Sequence, residues 1–98
     1  MKHIPKKYEA WMLRTCKADM SSYGGFTWPE SGFIEAPDWD DLESCGNGLH
    51  GFLNGEGDGS LANRDADAKW LVVRVDSRTV VDLEGKIKVP FGFVEFCG

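Results

Sequence analysis

Six glycines fall within the seventeen residues SCGNGLHGFLNGEGDGS, from Ser44 to Ser60. Each glycine adds backbone freedom that folding must remove, so a helix is excluded here and a regular element is disfavoured. The stretch predicts a long, turn-rich loop packed by Leu49, Phe52 and Leu53. Regular structure must then come from either side of it. With 98 residues there is room for one domain, residues 1–98, with a modest core.

After the loop the pattern changes. KWLVVRVD alternates, with Leu71, Val73 and Val75 on one face and Trp70, Val72 and Arg74 on the other. TVVDL, KIKV and FVEF follow at short spacing, which predicts an antiparallel C-terminal β meander. Before the loop, YEAWMLRTC reads as a strand with Trp11 and Leu13 on one face, although Ala, Met and Leu also suit a helix. Phe26 to Trp28 and Gly32 to Glu35 read as two short strands that pair with each other. Asp38 can cap a short helix from Trp39 to about Ser44. The expected fold is α+β and mainly β: one small domain with a C-terminal meander, a helix near 39–44 and the glycine loop.

Charge is concentrated. Residues 35–67 carry nine acids against Arg64 alone, a local charge of −8, between mildly basic ends. Such a centre repels a nucleic-acid backbone, so direct DNA or RNA binding is not expected. No run of 18 apolar residues is present, so no helix is expected to span a membrane. The start, MKHIPKKYEA, lacks the apolar centre of a secretory signal. Cys16, Cys45 and Cys97 are odd in number and far apart, which predicts a reduced, cytoplasmic protein.

Four chemistries meet at the glycine stretch. NGEGDGSLANRD, from Asn54, resembles a calcium loop but begins with Asn and lacks flanking helices. Cys16, Cys45, His50 and Cys97 could make a zinc set, but no Cys-x-x-Cys pair exists. No metal and no cofactor is therefore expected. A phosphate cradle fails because Glu56 and Asp58 would repel the anion. His50 could act as acid or base, although a ring beside Leu49 and Phe52 more often has a structural role.

The segments Gly25-Phe26 with Trp28-Pro29, the CGNGLH segment with Cys45 and Gly48-Leu49-His50, Trp70 to Asp76, Val80-Val81-Asp82 and Gly85-Lys86 carry a resemblance. Across residues 12–96 the chain resembles a family of small phage and prophage proteins of unknown function. The resemblance implies a mobile-element origin and the cytoplasm of a bacterial host, and carries over no catalytic residues. With the acidic centre, it leads to the expectation of a binding protein. That protein would inhibit a host nucleic-acid-handling complex, as anti-CRISPR and antirestriction proteins do, by presenting a DNA-like surface. Asp38, Asp40, Asp41, Glu43, Glu56 and Asp58 would meet a basic host protein. The protein would be a monomer or homodimer with no membrane contact. The competing expectation is a small ADP-ribosyltransferase-like enzyme using Arg14, His50 and Glu95.

Overall fold

Two eight-residue strands form the spine of the domain. β1 (Glu9–Cys16) and β4 (Lys69–Asp76) pair antiparallel along their full length, from Glu9 opposite Asp76 to Cys16 opposite Lys69. The β-branched run in β4 suits a pleated surface, and Leu71, Val73 and Val75 are fully buried on one face. Burying side chains of this size contributes roughly 1.5–3 kcal/mol each. The helix-or-strand ambiguity of β1 is thereby settled by its partner. The computed structural model describes residues 3–21, 26–43, 47–57 and 66–98.

The other strands are β2 (Gly32–Glu35), β3 (Leu49–Leu53), β5 (Val81–Asp82), β6 (Ile87–Val89) and β7 (Phe91–Cys97). All seven form one antiparallel sheet in the order β2-β7-β4-β1-β3-β6-β5. The fold is thus mainly β. Helical structure among the described residues is confined to two single 3-10 turns, Lys6–Tyr8 and Ser77–Thr79.

Pro90 alone links β6 to β7, yet the two strands lie four places apart in the sheet. In a flat sheet four places span about 19 Å. The step from Val89 to Phe91 reaches roughly 7 Å at most. The sheet must therefore fold over on itself, so that β6 closes against the start of β7. A backbone bond from Ala36 N to Pro90 O, at 2.8 Å, ties the end of β2 into the same corner. The enclosed core gathers Met12, Cys16, Trp28, Ile34, Leu49, Val73, Val75, Val89 and Val94.

Several sequence expectations are corrected. The glycine stretch contains a strand, β3, because Gly51 meets the Met12 side chain and the Leu13 carbonyl, leaving no room for a Cβ. β3 ends at Asn54 and Gly55, both at positive φ. That turn uses up the first residue of the calcium-like loop, whose remainder from Asp58 to Asp65 lies outside the described residues. The C-terminal strands are not a meander: the neighbours of β4 are β1 and β7, and β5 pairs with β6 at the far edge. The cause is Asp76, whose carboxylate accepts from Arg78 N at 3.0 Å and whose carbonyl accepts from Thr79 Oγ1 at 2.7 Å. This capped turn leads the chain away from β4 instead of reversing it.

No helix forms across Trp39 to Glu43; Ser44 lies outside the described residues. Asp40 instead closes an Asx-type turn, accepting from Leu42 N at 3.1 Å. Finally, Phe26 to Trp28 contributes only an isolated bridge between Thr27 and Ser21. β2 pairs with β7, not with that segment.

Candidate functional site

Three features outside the core packing carry chemistry. The first is a strap, residues 36–43 and 47, laid over the outer face of β3 and β6. Lys88 lies on β6 opposite His50 and Val81, pointing away from the core face of Ile87 and Val89. Its side chain is completely buried, and its ammonium donates to Asp40 Oδ1 at 3.0 Å. The Trp39 ring packs over the same ammonium, 5.5 Å away, and against Gly48. Asn47 Nδ2 also donates to Asp40. Asn47 and then Lys88 hold the Asp40 carboxyl below the usual carboxylate range.

Asp41 and Glu43 border a shallow groove of about 450 Å³ whose far wall includes Asp82 and Arg78. Arg78 is already engaged, donating to Asp76 at 2.6 Å and 3.0 Å and stacking on Tyr8 at 4.1 Å. Among the described residues no three His, Cys, Asp or Glu side chains converge to hold a metal ion. Of the six acids expected to form one face, Asp40 is drawn into the strap. Asp38, Asp41, Glu43 and Glu56 are exposed, and Asp58 lies outside the described residues.

The second feature is Arg14. It projects from β1 on the core side and donates from Nη1 to the His50 carbonyl at 3.1 Å. Its guanidinium lies over the Trp28 ring at 5.1 Å. Arg14 and His50 are therefore neighbours, as the enzyme reading requires, but through the His50 backbone. Burial, then the charges of Lys86, Arg14 and Lys88, push the His50 imidazole down to about 4. Glu95 does not join them. It binds Arg74 Nε at 2.8 Å, and Arg74 shares the outer face with Trp11, whereas Arg14 has the opposite parity on β1. An Arg14/His50/Glu95 cleft is thus ruled out by the sheet itself. The zinc set is not assembled either: His50 lies on the strap side, Cys16 faces the core, and Cys45 is outside the described residues.

The third feature is the outer face of β2-β7-β4-β1. Register places Phe33, Phe93, Arg74 and Trp11 in one row across four strands. Phe33 and Phe93 lie 5.4 Å apart, and the Arg74 guanidinium sits 4.6 Å from the Phe93 ring. The next row is Phe96, Val72, Leu13 and Phe52. Trp70 extends the face beyond it. Phe96 is 56% exposed and Trp11 44%, unusual for rings this large. The alternation of β1 and β4 paired Trp11 with Leu13 and Trp70 with Val72 and Arg74, but did not reach the phenylalanines of β2, β3 and β7. Their alignment was not legible, because it depends on the pairing of β7 between β2 and β4.

A family model described as a domain of unknown function, DUF7666, matches residues 10–97. The chain belongs to this family. It is 38% identical over 87 residues to the ice nucleation protein InaU of Pantoea ananas, which covers 87% of this chain and 8% of that protein. An ice nucleation protein of Xanthomonas campestris pv. translucens is 40% identical over 88 residues, 88% of this chain and 6% of that protein. One from Pseudomonas syringae is 37% identical over 84 residues, 84% of this chain and 7% of that protein. The chain therefore spans less than a tenth of the length of these relatives. No solved structure matches it.

These matches overturn the phage and prophage resemblance, whose short motifs the DUF7666 family accounts for along almost the whole chain. The anti-CRISPR or antirestriction inhibitor, the DNA mimic and the ADP-ribosyltransferase-like alternative fall with it, since the relatives are ice nucleation proteins. Placement in the cytoplasm, read from the odd and scattered cysteines as well as from the same resemblance, is withdrawn, since the relatives are ice nucleation proteins.

Proposed function

We propose that this domain is a non-catalytic attachment module of an ice-nucleating assembly. Its aromatic outer face would hold it against the long remainder of such a protein. The aligned rows led by Phe33, Phe93, Trp11 and Phe96 carry this reading, because large rings exposed together are stabilised by covering one another. The occupant suggested is the rest of the ice-nucleating chain, which makes up more than nine-tenths of each relative described above.

The domain is poorly suited to order ice by itself. An ice embryo grows only above a critical size, which favours extended templates, and the longest dimension here is 35 Å. A template also needs regularly spaced water-binding groups. Thr15, Thr27 and Thr79 sit in different elements, and a bulge between Val72 and Val73 breaks the regularity of the exposed face.

The test is a graft. This chain replaces the matched segment of the Pseudomonas syringae ice nucleation protein, and droplet freezing is measured. The native graft should freeze droplets near the parent's temperature. The Trp11→Ser/Phe93→Ser graft should freeze them several degrees lower, while the isolated domain should match buffer. Nucleation by the isolated domain, or equal freezing by both grafts, would sink the proposal.

A further inference from the structure

One edge of the sheet borders the groove beside the strap. β5 (Val81–Asp82) is the last strand in the order, and among the described residues it pairs with β6 alone. Register decides which of its peptide groups are committed. Leu83 N donates to Lys86 O at 2.9 Å, and Val81 lies two residues earlier, opposite Lys88. Residues along an antiparallel pair alternate between bonded and unbonded, so Val81 bonds toward β6 and the Asp82 N–H and C=O point outward.

The groove follows this edge. Val80, Val81 and Asp82 are consecutive and extended, and all three border its volume of about 450 Å³. Successive side chains leave an extended chain on opposite faces, so a cleft that touches all three runs along the edge and not across one face. A further strand would lie in the same direction. Trp39 and Pro90, with the two valines, give the groove partly exposed apolar walls.

Its charge is one-sided. Asp41, Glu43 and Asp82 are exposed around it, and none pairs with a cation among the described residues. Arg78, also on the wall, is already held by both carboxylate oxygens of Asp76. The three carboxylates do not converge on one point that could hold a metal ion. They suit several cationic groups in a line.

We propose that this groove binds an extended basic peptide segment as an added strand beside β5, its Lys or Arg side chains meeting Asp41, Glu43 and Asp82. The outward peptide groups of Asp82 align the backbone, and the apolar walls take a small side chain between the basic ones. Groove and edge make room for a strand; charge selects which strand, because an acidic segment of the same shape is repelled. β5 offers few backbone bonds, so the ion pairs carry much of the affinity and binding fades as salt screens them. The site shares no residue with the aromatic outer face and does not rest on the attachment proposed above.

The experiment follows the fluorescence anisotropy of a labelled peptide of alternating lysine and valine, with the full chain as titrant. Saturable binding at one peptide per chain is expected at low salt, with clear weakening at high salt. Asp41→Asn/Glu43→Gln should weaken it roughly fivefold, and Asp82→Asn, which keeps the side-chain oxygen that accepts from Glu84 N, roughly twofold or more. Methylating the peptide's amides at alternate residues should abolish binding in one phase and spare it in the other, because a strand bonds through every second residue. The glutamate–valine peptide should not bind, and the Trp11→Ser/Phe93→Ser chain should bind as the native one does. Thermal melts establish that each variant folds. No binding, indifference to the carboxamide substitutions, or equal binding by both methylated forms would overturn the proposal. So would spermidine displacing the peptide as well as the unlabelled peptide does, which would make the occupant a polyamine.

Discussion

Lys88 and Arg14 are both cations taken off the surface, and their surroundings differ. Lys88 ends on a carboxylate 3.0 Å away, with the Trp39 ring beside it. Arg14 ends on a backbone carbonyl and a thiol, with one donor left over. The first arrangement is electrically closed and fastens a strap to the sheet. The second leaves one buried donor without a partner. Burial alone thus says little about what a charge does; the identity of its partner decides.

The largest effect should come from truncating the closed site. Lys88→Ala removes a completely buried stem and leaves a cavity, so unfolding in urea should show a loss of about 3 kcal/mol. Lys88→Met keeps the volume and should stay within about 1 kcal/mol of the native chain. Asp40→Ala should lower the melting temperature clearly in the native background and hardly at all with Lys88→Met. Equal losses in both backgrounds would mean that the pair is not the fastening.

Acid should sharpen the contrast next. The His50 imidazole titrates near 4 in the fold and at 6.5 in the unfolded chain. The unfolded chain therefore binds the extra proton between those values, and stability falls as pH drops from 6.5 to 4. His50→Gln should flatten that decline in thermal melts. Asp40 has a depressed folded value. Its contribution is full well above its unfolded value of 3.8 and is lost as pH falls through the folded one, so Asp40→Asn should flatten only the most acidic limb.

Arg14→Met should do least among the cations, changing stability by about 1 kcal/mol or less, because the guanidinium is incompletely satisfied. A loss as large as that of Lys88→Ala would erase the distinction between the two sites. Smaller still, Phe96→Ser on the exposed aromatic face should move stability by about 0.5 kcal/mol or less.

The two cations also show what the sequence could reveal. The alternation of KWLVVRVD named the buried and outer faces of β4 correctly, because side-chain period is a local property. Arg14 and His50 were expected to gather as side chains in a cleft, whereas Arg14 meets the His50 backbone carbonyl. Lys88 was not singled out, since KIKV reads as a strand with its lysines in water. Its burial comes from a strap that arrives from residues 36–47, far away along the chain. Gly51 misled in the opposite direction: a glycine that looks like a loop signal is required inside a strand by the Met12 side chain. The six acids of the chain's centre promised a common surface, but Asp40 is drawn into an ion pair with Lys88 instead. In each case the missing information was which distant segment would arrive.

The single residue at Pro90 has a consequence for synthesis. β7 joins β2 to β4, and it is the last strand made. Until residue 97 has emerged from the ribosome, β2 has no partner strand and one edge of β4 stays unpaired. A nascent chain stopped at Pro90 would hold a hairpin-like β1–β4 pair with an open, sticky edge. The domain therefore commits to its shape all at once and late, with its non-local pairings favouring slow folding and a period in which a chaperone would find it.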